Sequence, residues 1–201
     1  MPQKQEKMIS LMKEILQDDY VHLKVESYAM RENLEEGVCN IECKLRNGDG
    51  SLMEVAGEGV GLIDALFNAL RAQLAGDFPS LKSIRFSQFN IRGLLSDAEG
   101  ADMTTKAEAE ATVGIQNSEG REFIFLTKEP SVSRAGIQAT VEATEYFVNS
   151  ERTYVKIHEI LEHYRKEGRT DLVEKYTDLM SRVVENTSYS EVVERIRSSL
   201  K

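Results

Sequence analysis

Three closely spaced glycines that run into a predicted helix are the strongest candidate for chemistry in this sequence. Gly57, Gly59 and Gly61 precede an amphipathic segment, and Asp64 falls in its first turn. Glycine allows close approach of another group, and a helix start offers free N–H donors with a partial positive charge. The junction could therefore seat a carboxylate or a phosphate. The alternative is a strand-to-helix turn that needs small residues only for packing.

Other constellations of reactive residues have the wrong spacing. His158 and His163 lie five residues apart on a predicted helix, whereas a zinc-protease helix needs its histidines four apart on one face. We therefore expect a solvated face there and no metal site. The sequence has no serine elbow, Walker loop or CxxC pair, and its glycines do not follow the dinucleotide-binding pattern. We predict no catalytic residues and no cofactor.

Composition limits the possible partners. The chain has 201 residues, of which 41% are hydrophobic and 29% charged, as expected of a globular protein with one sizeable core. Its net charge of -9 argues against nucleic acid, whose binders usually carry a basic stripe. No apolar run approaches the roughly 18 residues of a membrane span, and the first residues do not form a secretory signal. We expect a cytoplasmic protein.

The two cysteines are expected to be core residues. Cys39 and Cys43 lie four apart in a predicted strand, which separates them by roughly 13 Å at about 3.3 Å per residue. That distance exceeds the reach of a disulfide. Free cysteine is commonly buried, so we predict two buried thiols on one face of the strand.

Hydrophobic periodicity gives the order of elements that must position the glycine junction. Residues 3 to 18 have helical spacing, and the period changes to two from Asp19. In the first predicted strand, Tyr28 falls on the polar face and Ala29 on the apolar face. Two more strands flank the turn Asn47-Gly48-Asp49-Gly50, and a helix follows the glycines. The first part of the chain thus predicts strand, strand, strand, helix.

The same order repeats in the second half. The apolar parity slips between Phe86 and Phe89, which predicts a bulge, and a long loop from Gly93 to Thr105 is the best candidate for a mobile segment. Ser131 and Ser133 offer N-caps to a helix that we expect to run to about Asn149. Corresponding elements start near 20 and 81, 38 and 106, 51 and 121, and 60 and 131.

Two copies of one supersecondary unit imply a pseudo-twofold arrangement. We therefore predict an α+β fold made of two pseudo-symmetric βββα units, in which helices cover antiparallel sheets. The predicted domains are an N-terminal helix at 1–18, a central domain at 19–150 with units 19–79 and 80–150, and a C-terminal helical extension at 151–201. The extension contains apolar helical stripes, and Ser190 is expected to cap its last segment.

The repeated unit and the run Gly59-Val60-Gly61-Leu62-Ile63-Asp64-Ala65 resemble the C-terminal regulatory (allosteric, dimerisation) domain of α-isopropylmalate synthase and citramalate synthase. In that family the first helix opens with a GxGPxDA pattern, of which this chain keeps both glycines, Asp64 and Ala65. The second helix of the family reads roughly DIIEAS, where this chain has Ala135 to Thr140. The resemblance covers about residues 19 to 150, and the catalytic barrel of the synthases is absent from it.

The resemblance implies a non-catalytic domain that binds leucine, isoleucine or a similar amino-acid effector between its two units. It also implies a homodimer and a possible synthase-type enzyme partner. The ligand's carboxylate would face a helix start and its ammonium an acid such as Asp64. The residues assigned to the effector site are Gly59, Gly61, Asp64, Ala65, Ser131, Ser133, Ile137 and Thr140.

Two other hypotheses stay open at this point. The chain could be a protein–protein interaction or dimerisation module in which the ligand site is vestigial and the helical tail docks a protein. It could also be an unrecognised enzyme, although active sites normally show convergent titratable groups. Thermal shift against branched-chain amino acids would separate the first hypothesis from the second.

Overall fold

The computed structural model describes residues 3–94 and 108–184 of the chain. Along these residues four α-helices and six β-strands follow one another in the predicted order. The elements are α1 (Gln3–Leu16), β1 (Leu23–Asn33), β2 (Val38–Asn47), β3 (Leu52–Gly59), α2 (Leu62–Leu74), β4 (Arg85–Leu94), β5 (Glu108–Gln116), β6 (Glu122–Glu129), α3 (Val132–Lys166) and α4 (Thr170–Val184).

The first unit is a three-stranded antiparallel sheet in the order β1-β2-β3, followed by α2. The alternation predicted for β2 is confirmed, because Cys39, Ile41, Cys43 and Leu45 are all buried. Both cysteines are free thiols in the core, as expected from their spacing, and burial raises the pKa of Cys43 to about 11. These thiols therefore behave as small hydrophobic residues.

A β-bulge in β1 changes which side chains face the core. The register with β2 shifts between Val25 and Ser27, so Glu26 is the extra residue. Each residue after the bulge points to the face opposite to the one that strict alternation gives. The prediction that Tyr28 lies on the polar face and Ala29 on the apolar face was therefore wrong: Tyr28 packs against the core cluster and Ala29 is exposed.

The second unit is an antiparallel sheet in the order β4-β5-β6, followed by α3. The predicted bulge is confirmed, since the register of β4 with β5 shifts between Phe86 and Gln88. Most of the loop from Gly93 to Thr105 lies outside the described residues.

The two units match each other residue by residue. Val25 pairs with Leu45 in the first unit and Phe86 with Ile115 in the second. Equivalent residues thus differ by 61 positions in the first strands and by 70 in the second strands. The β3 and β6 pairings and the helix starts keep the difference of 70. The bulges coincide as well, and this equivalence confirms the predicted α+β fold of two pseudo-symmetric βββα units.

Each helix also packs beyond its own sheet. Ile137 and Val141 of α3 belong to the hydrophobic cluster of the first sheet, whereas Phe67 of α2 belongs to the cluster of the second. The ring of Phe67 contacts that of Phe86 in β4 edge to face, with centroids 4.8 Å apart. Each helix therefore lines a groove along the first strand of the opposite unit, α3 along β1 and α2 along β4. The contacts in these two grooves join the units.

The helix that covers the second sheet, α3, is longer than predicted. We expected it to end near Asn149, but α3 continues without a break to Lys166, because Tyr154, Ile157 and Leu161 extend its buried stripe. Gly168, with a φ of 70°, ends this run, and α4 folds back onto α3. The segment that Ser190 was expected to cap lies outside the described residues.

Polar side chains of α3 fasten the segment that enters β1. The amide of Asn149, which is fully buried, accepts a hydrogen bond from the Val21 N–H and donates one to the Val21 carbonyl, both at 2.8 Å. The carboxylate of Glu145 accepts a hydrogen bond from the Leu23 N–H and lies 3.3 Å from Nδ1 of His22. These bonds join the first unit to the helix of the second.

Candidate functional site

The glycines before α2 have different surroundings. A Cβ on Gly59 would lie 2.4 Å from the Ala65 nitrogen, and a Cβ on Gly57 would lie 2.6 Å from the Ala65 carbonyl oxygen. Both residues therefore let β3 pack directly on α2. Gly61 has extended backbone, with a φ of -168°, and open space where a Cβ would stand. The close approach at Gly57 and Gly59 supports the packing interpretation of this passage.

The predicted residues Asp64 and Ala65 organise the first turn of α2. Asp64 Oδ2 accepts a hydrogen bond from the Val60 N–H at 3.1 Å. The N–H of Ala65 donates to the Gly61 carbonyl at 2.9 Å, which closes the first turn. Asp64 thus satisfies a backbone donor just before the helix, as a third-position acid does in a capping box.

The four predicted residues of α3 divide between its exposed start and the core. Ser131 is the N-cap, and its hydroxyl accepts a hydrogen bond from the Arg134 N–H. The Ser133 hydroxyl accepts a hydrogen bond from the Tyr28 hydroxyl at 2.8 Å, which joins α3 to β1. Thr140 is fully buried and donates its hydroxyl proton to the Gly136 carbonyl within the helix, and Ile137 is buried against the first sheet.

The structure brings the two predicted helix starts together. A Cβ on Gly136 would lie 2.8 Å from Cδ1 of Ile63 and 3.4 Å from Cζ of Phe89. The absence of a side chain at Gly136 therefore lets the first turn of α2 touch α3 one turn after its start. Ile63 fills the space at this contact.

A cavity opens beside this contact, between β1 of the first unit and the second unit. Its volume is about 440 Å³, within the range of small-molecule sites. Val25 and Ile137 supply apolar walls, and Tyr28 stands next to them. The remaining lining residues are Glu26, Ser27, Glu129, Arg134 and Gln138. Among the eight residues predicted from sequence, Ile137 lines this cavity, and Ser133 is hydrogen-bonded to its neighbour Tyr28.

Opposite charges stand at the mouth of the cavity. A guanidinium nitrogen of Arg134 lies 3.4 Å from a carboxylate oxygen of Glu129. The Arg134 side chain is 60% exposed and that of Glu129 is 26% exposed, so water competes for both groups. Such a pair could exchange its mutual contact for a ligand carboxylate on Arg134 and a ligand ammonium on Glu129.

Sequence reasoning missed Arg134, Glu129 and Tyr28. Tyr28 was missed because the bulge at Glu26, which brings its ring to the core side, was not recognised in β1. The parity slip in the pseudo-equivalent strand β4 was the available signal. Arg134 takes the position that Asp64 has in the first unit, so the repeat itself could have pointed to it.

Other titratable groups serve to hold the fold together. A second cavity of about 190 Å³ lies between α1, α3 and β6, with Glu142, Glu145 and His22 in its lining. Burial raises the pKa of Glu142 and of Glu145, and it raises the pKa of Tyr20 to about 12. Glu142 accepts a hydrogen bond from Gln138, while Glu145 binds the start of β1 as described above.

The histidines of α3 do not converge. His163 is exposed and lies 3.4 Å from a carboxylate oxygen of Glu167. Across residues 3–94 and 108–184, no group of three or more histidine, cysteine, aspartate or glutamate side chains is arranged to hold a metal ion. Among those same residues, no helix is long and apolar enough to cross a membrane.

Comparison with known proteins identifies the module. No curated protein matches the chain. A family model described as the LeuA allosteric (dimerisation) domain matches residues 3–148, which include α1, both sheets, α2 and the first half of α3. The match agrees with the resemblance found in the sequence, and it is to a regulatory domain. Since it spans well over half of the 201 residues, the chain belongs to the family of LeuA allosteric (dimerisation) domains.

Proposed function

We propose that this protein is a non-catalytic regulatory domain that binds a small amino-acid effector, of the leucine or isoleucine class, in the groove between β1 and α3. The cavity of about 440 Å³ between the two units carries this proposal, because it combines apolar walls with the ion pair of Arg134 and Glu129 at its mouth. The family supplies the regulatory and dimerisation role. Gly59, Gly61, Asp64 and Ala65 then support the site by fixing α2.

The chemistry of the cavity fits a zwitterion with an aliphatic side chain. The ligand carboxylate would accept charge-assisted hydrogen bonds from the Arg134 guanidinium, and its ammonium would donate to Glu129. The aliphatic group would pack on Val25 and Ile137, from which it would exclude water. Ser131 and Ser133 hold the first turn of α3 in place, so they would orient Arg134 rather than contact the ligand.

Thermal shift tests this function with L-leucine and L-isoleucine as probes. A ligand at a hundred times its Kd stabilises the folded state by about 2.7 kcal/mol. For a protein of this size each kcal/mol raises the melting temperature by about 2–4 °C, so saturation should raise it by about 5–11 °C. Glycine and D-leucine are the control compounds. If neither L-amino acid at millimolar concentration moves the transition, the effector hypothesis is refuted.

Two arginine variants separate binding from general electrostatics. Arg134→Gln removes the proposed carboxylate partner, so it should abolish most of the thermal shift. Arg165→Gln is the matched control, because Arg165 lies on the same helix, is similarly exposed and pairs with Glu162. Equal ligand shifts in both variants would contradict the assigned role of Arg134.

A protein–protein interaction module with a vestigial ligand site is the second candidate function. Exposed apolar side chains on β4 and at the start of α3 favour it: Phe89 is 43% exposed, Ile91 37% and Val132 53%. The family's dimerisation role supports a homodimer, and a synthase-type enzyme is the corresponding hetero-partner. Light scattering in line with gel filtration should give twice the chain mass of 22.7 kDa. A dimer without any amino-acid response would favour this second function over the first.

A further inference from the structure

The fold contains a second groove that is equivalent to the one with the cavity. By the 61- and 70-residue relations, the wall residues Val25 and Ile137 correspond to Phe86 and Phe67. The second groove thus runs between β4 and α2, as the first runs between β1 and α3. Any ligand site built only from the repeated backbone would occur in both grooves.

Side chains make the two grooves different. Where the first groove has two aliphatic residues, the second has the rings of Phe67 and Phe86, which contact each other edge to face. Tyr28 of the first groove corresponds to Phe89, whose ring end stands 3.4 Å from the Cβ position of Gly136. The aromatic pair therefore occupies the volume that the aliphatic pair leaves open as a cavity.

The two grooves also differ at the positions of the charged residues Arg134 and Glu129. Arg134 corresponds to Asp64, whose carboxylate already accepts the Val60 N–H. Glu129 corresponds to Gly59, which is in close contact with α2. In the second groove the position of the cation Arg134 thus holds an acid that is already hydrogen-bonded, and the position of the anion Glu129 holds a glycine with no room for a side chain.

From this asymmetry we infer that each chain takes one ligand, in the β1–α3 groove, and that Phe67 and Phe86 close the pseudo-equivalent groove as an internal plug. The inference rests on the proposed effector function and narrows it to one amino acid per chain. The residues that distinguish a binding groove from a closed one are Val25 and Ile137 on one side and Phe86 and Phe67 on the other.

Reciprocal exchange of the equivalent wall residues tests the inference. Val25→Phe introduces the ring of Phe86 at the equivalent position on β1. Ile137→Phe is a second variant, which introduces the ring of Phe67 at the equivalent position on α3. Each should weaken the binding of L-leucine and L-isoleucine at least tenfold. Because the added ring enters an existing cavity, the melting temperature of Val25→Phe should stay level or rise. Phe86→Val is the matched control, which should lower the melting temperature through lost packing yet keep the ligand Kd within about twofold.

Isothermal titration of the full chain gives the stoichiometry, for which we expect one ligand per chain in the wild type. Two ligands per chain, or loss of binding in Phe86→Val with retention in Val25→Phe, would overturn the inference and leave the effector function standing. A wild-type chain that binds neither amino acid would refute both. A Val25→Phe variant that binds as tightly as the wild type would place the ligand elsewhere and also overturn the inference.

Discussion

Substituting two neighbouring glycines should have opposite effects on stability. In Gly59→Ala the new Cβ would lie 2.4 Å from the Ala65 nitrogen and 2.8 Å from the Asp64 carbonyl carbon. Both are backbone atoms of α2, so neither can move aside as a flexible side chain would. β3 and α2 must separate, and forced overpacking of this kind costs about 1–3 kcal/mol. That cost should lower the melting temperature by roughly 2–12 °C.

Gly61→Ser is the matched substitution two residues along the chain. Gly61 is the N-cap of α2, its backbone is extended, and a side chain there would enter open space. A serine would supply the hydroxyl that Ser131 supplies at the equivalent N-cap of α3. At an N-cap, serine stabilises a helix more than glycine does, by a few tenths of a kcal/mol. Replacing glycine also lowers the conformational entropy of the unfolded chain, which stabilises the folded state further. We expect a gain of about 0.5–1 kcal/mol.

Thermal and urea unfolding, monitored by far-UV circular dichroism, measure both changes directly. The sign difference between the two variants is the essential result, because both remove a glycine from the same motif. If Gly59→Ala is as stable as the wild type, the close contact between β3 and α2 is not what requires glycine there. If Gly61→Ser lost ligand binding while its stability was unchanged, the junction itself would be the seat of a carboxylate or phosphate, as the sequence allowed.

Three further substitutions test the second unit and its helix. Ser131→Ala removes the hydroxyl that accepts the Arg134 N–H, and calorimetry should show a loss of about 0.5–2 kcal/mol. Asn149→Leu leaves the half-buried N–H and carbonyl of Val21 without their protein partners, at up to about 1–3 kcal/mol each; a urea midpoint close to that of the wild type would contradict this. Burial raises the pKa of Glu142 above its usual value of 4.5, so the folded state favours the protonated carboxyl. The free energy of unfolding therefore falls as the pH rises above 4.5 and the buried group must ionise. Glu142→Gln should therefore gain stability relative to the wild type between pH 4.5 and 7, and an unchanged difference across that range would refute the assignment.

Much of the fold could be predicted from periodicity and turn residues. Alternation in β2 identified four buried positions, because in a strand with one covered face every second side chain must point to the core. The parity slip in β4 identified a real bulge. The same slip in β1 was hidden, since Val25 and Tyr28 are not a strongly apolar pair. α3 was cut short because Asn149, Ser150 and Thr153 resemble a loop, although all three are buried within the helix.

The candidate site was only partly accessible to sequence reasoning. The helix starts, expected near 60 and 131, lie at Leu62 and Val132, because the glycines before α2 and the serine N-cap of α3 are recognisable in the sequence. A cavity depends on how two units pack, and that packing cannot be deduced from either unit alone. The volume beside Ile137 exists because its neighbour across the groove is Val25, a residue more than 100 positions away. The role of Arg134 as the partner of a ligand carboxylate remains a prediction that its substitution will test.

The unbroken course of α3 has a mechanical consequence. At 1.5 Å per residue its 35 residues span about 52 Å, from the mouth of the cavity to the turn before α4. Residues 3–148 belong to the family's shared module, yet the same rod continues beyond it. A tilt of the first turn about the contact between Ile63 and Gly136 would be carried along the rod as a displacement of its far end. Because α3 also packs on β5 and β6 and is hydrogen-bonded to Val21 and Leu23, both sheets would share in such a displacement before it reached α4.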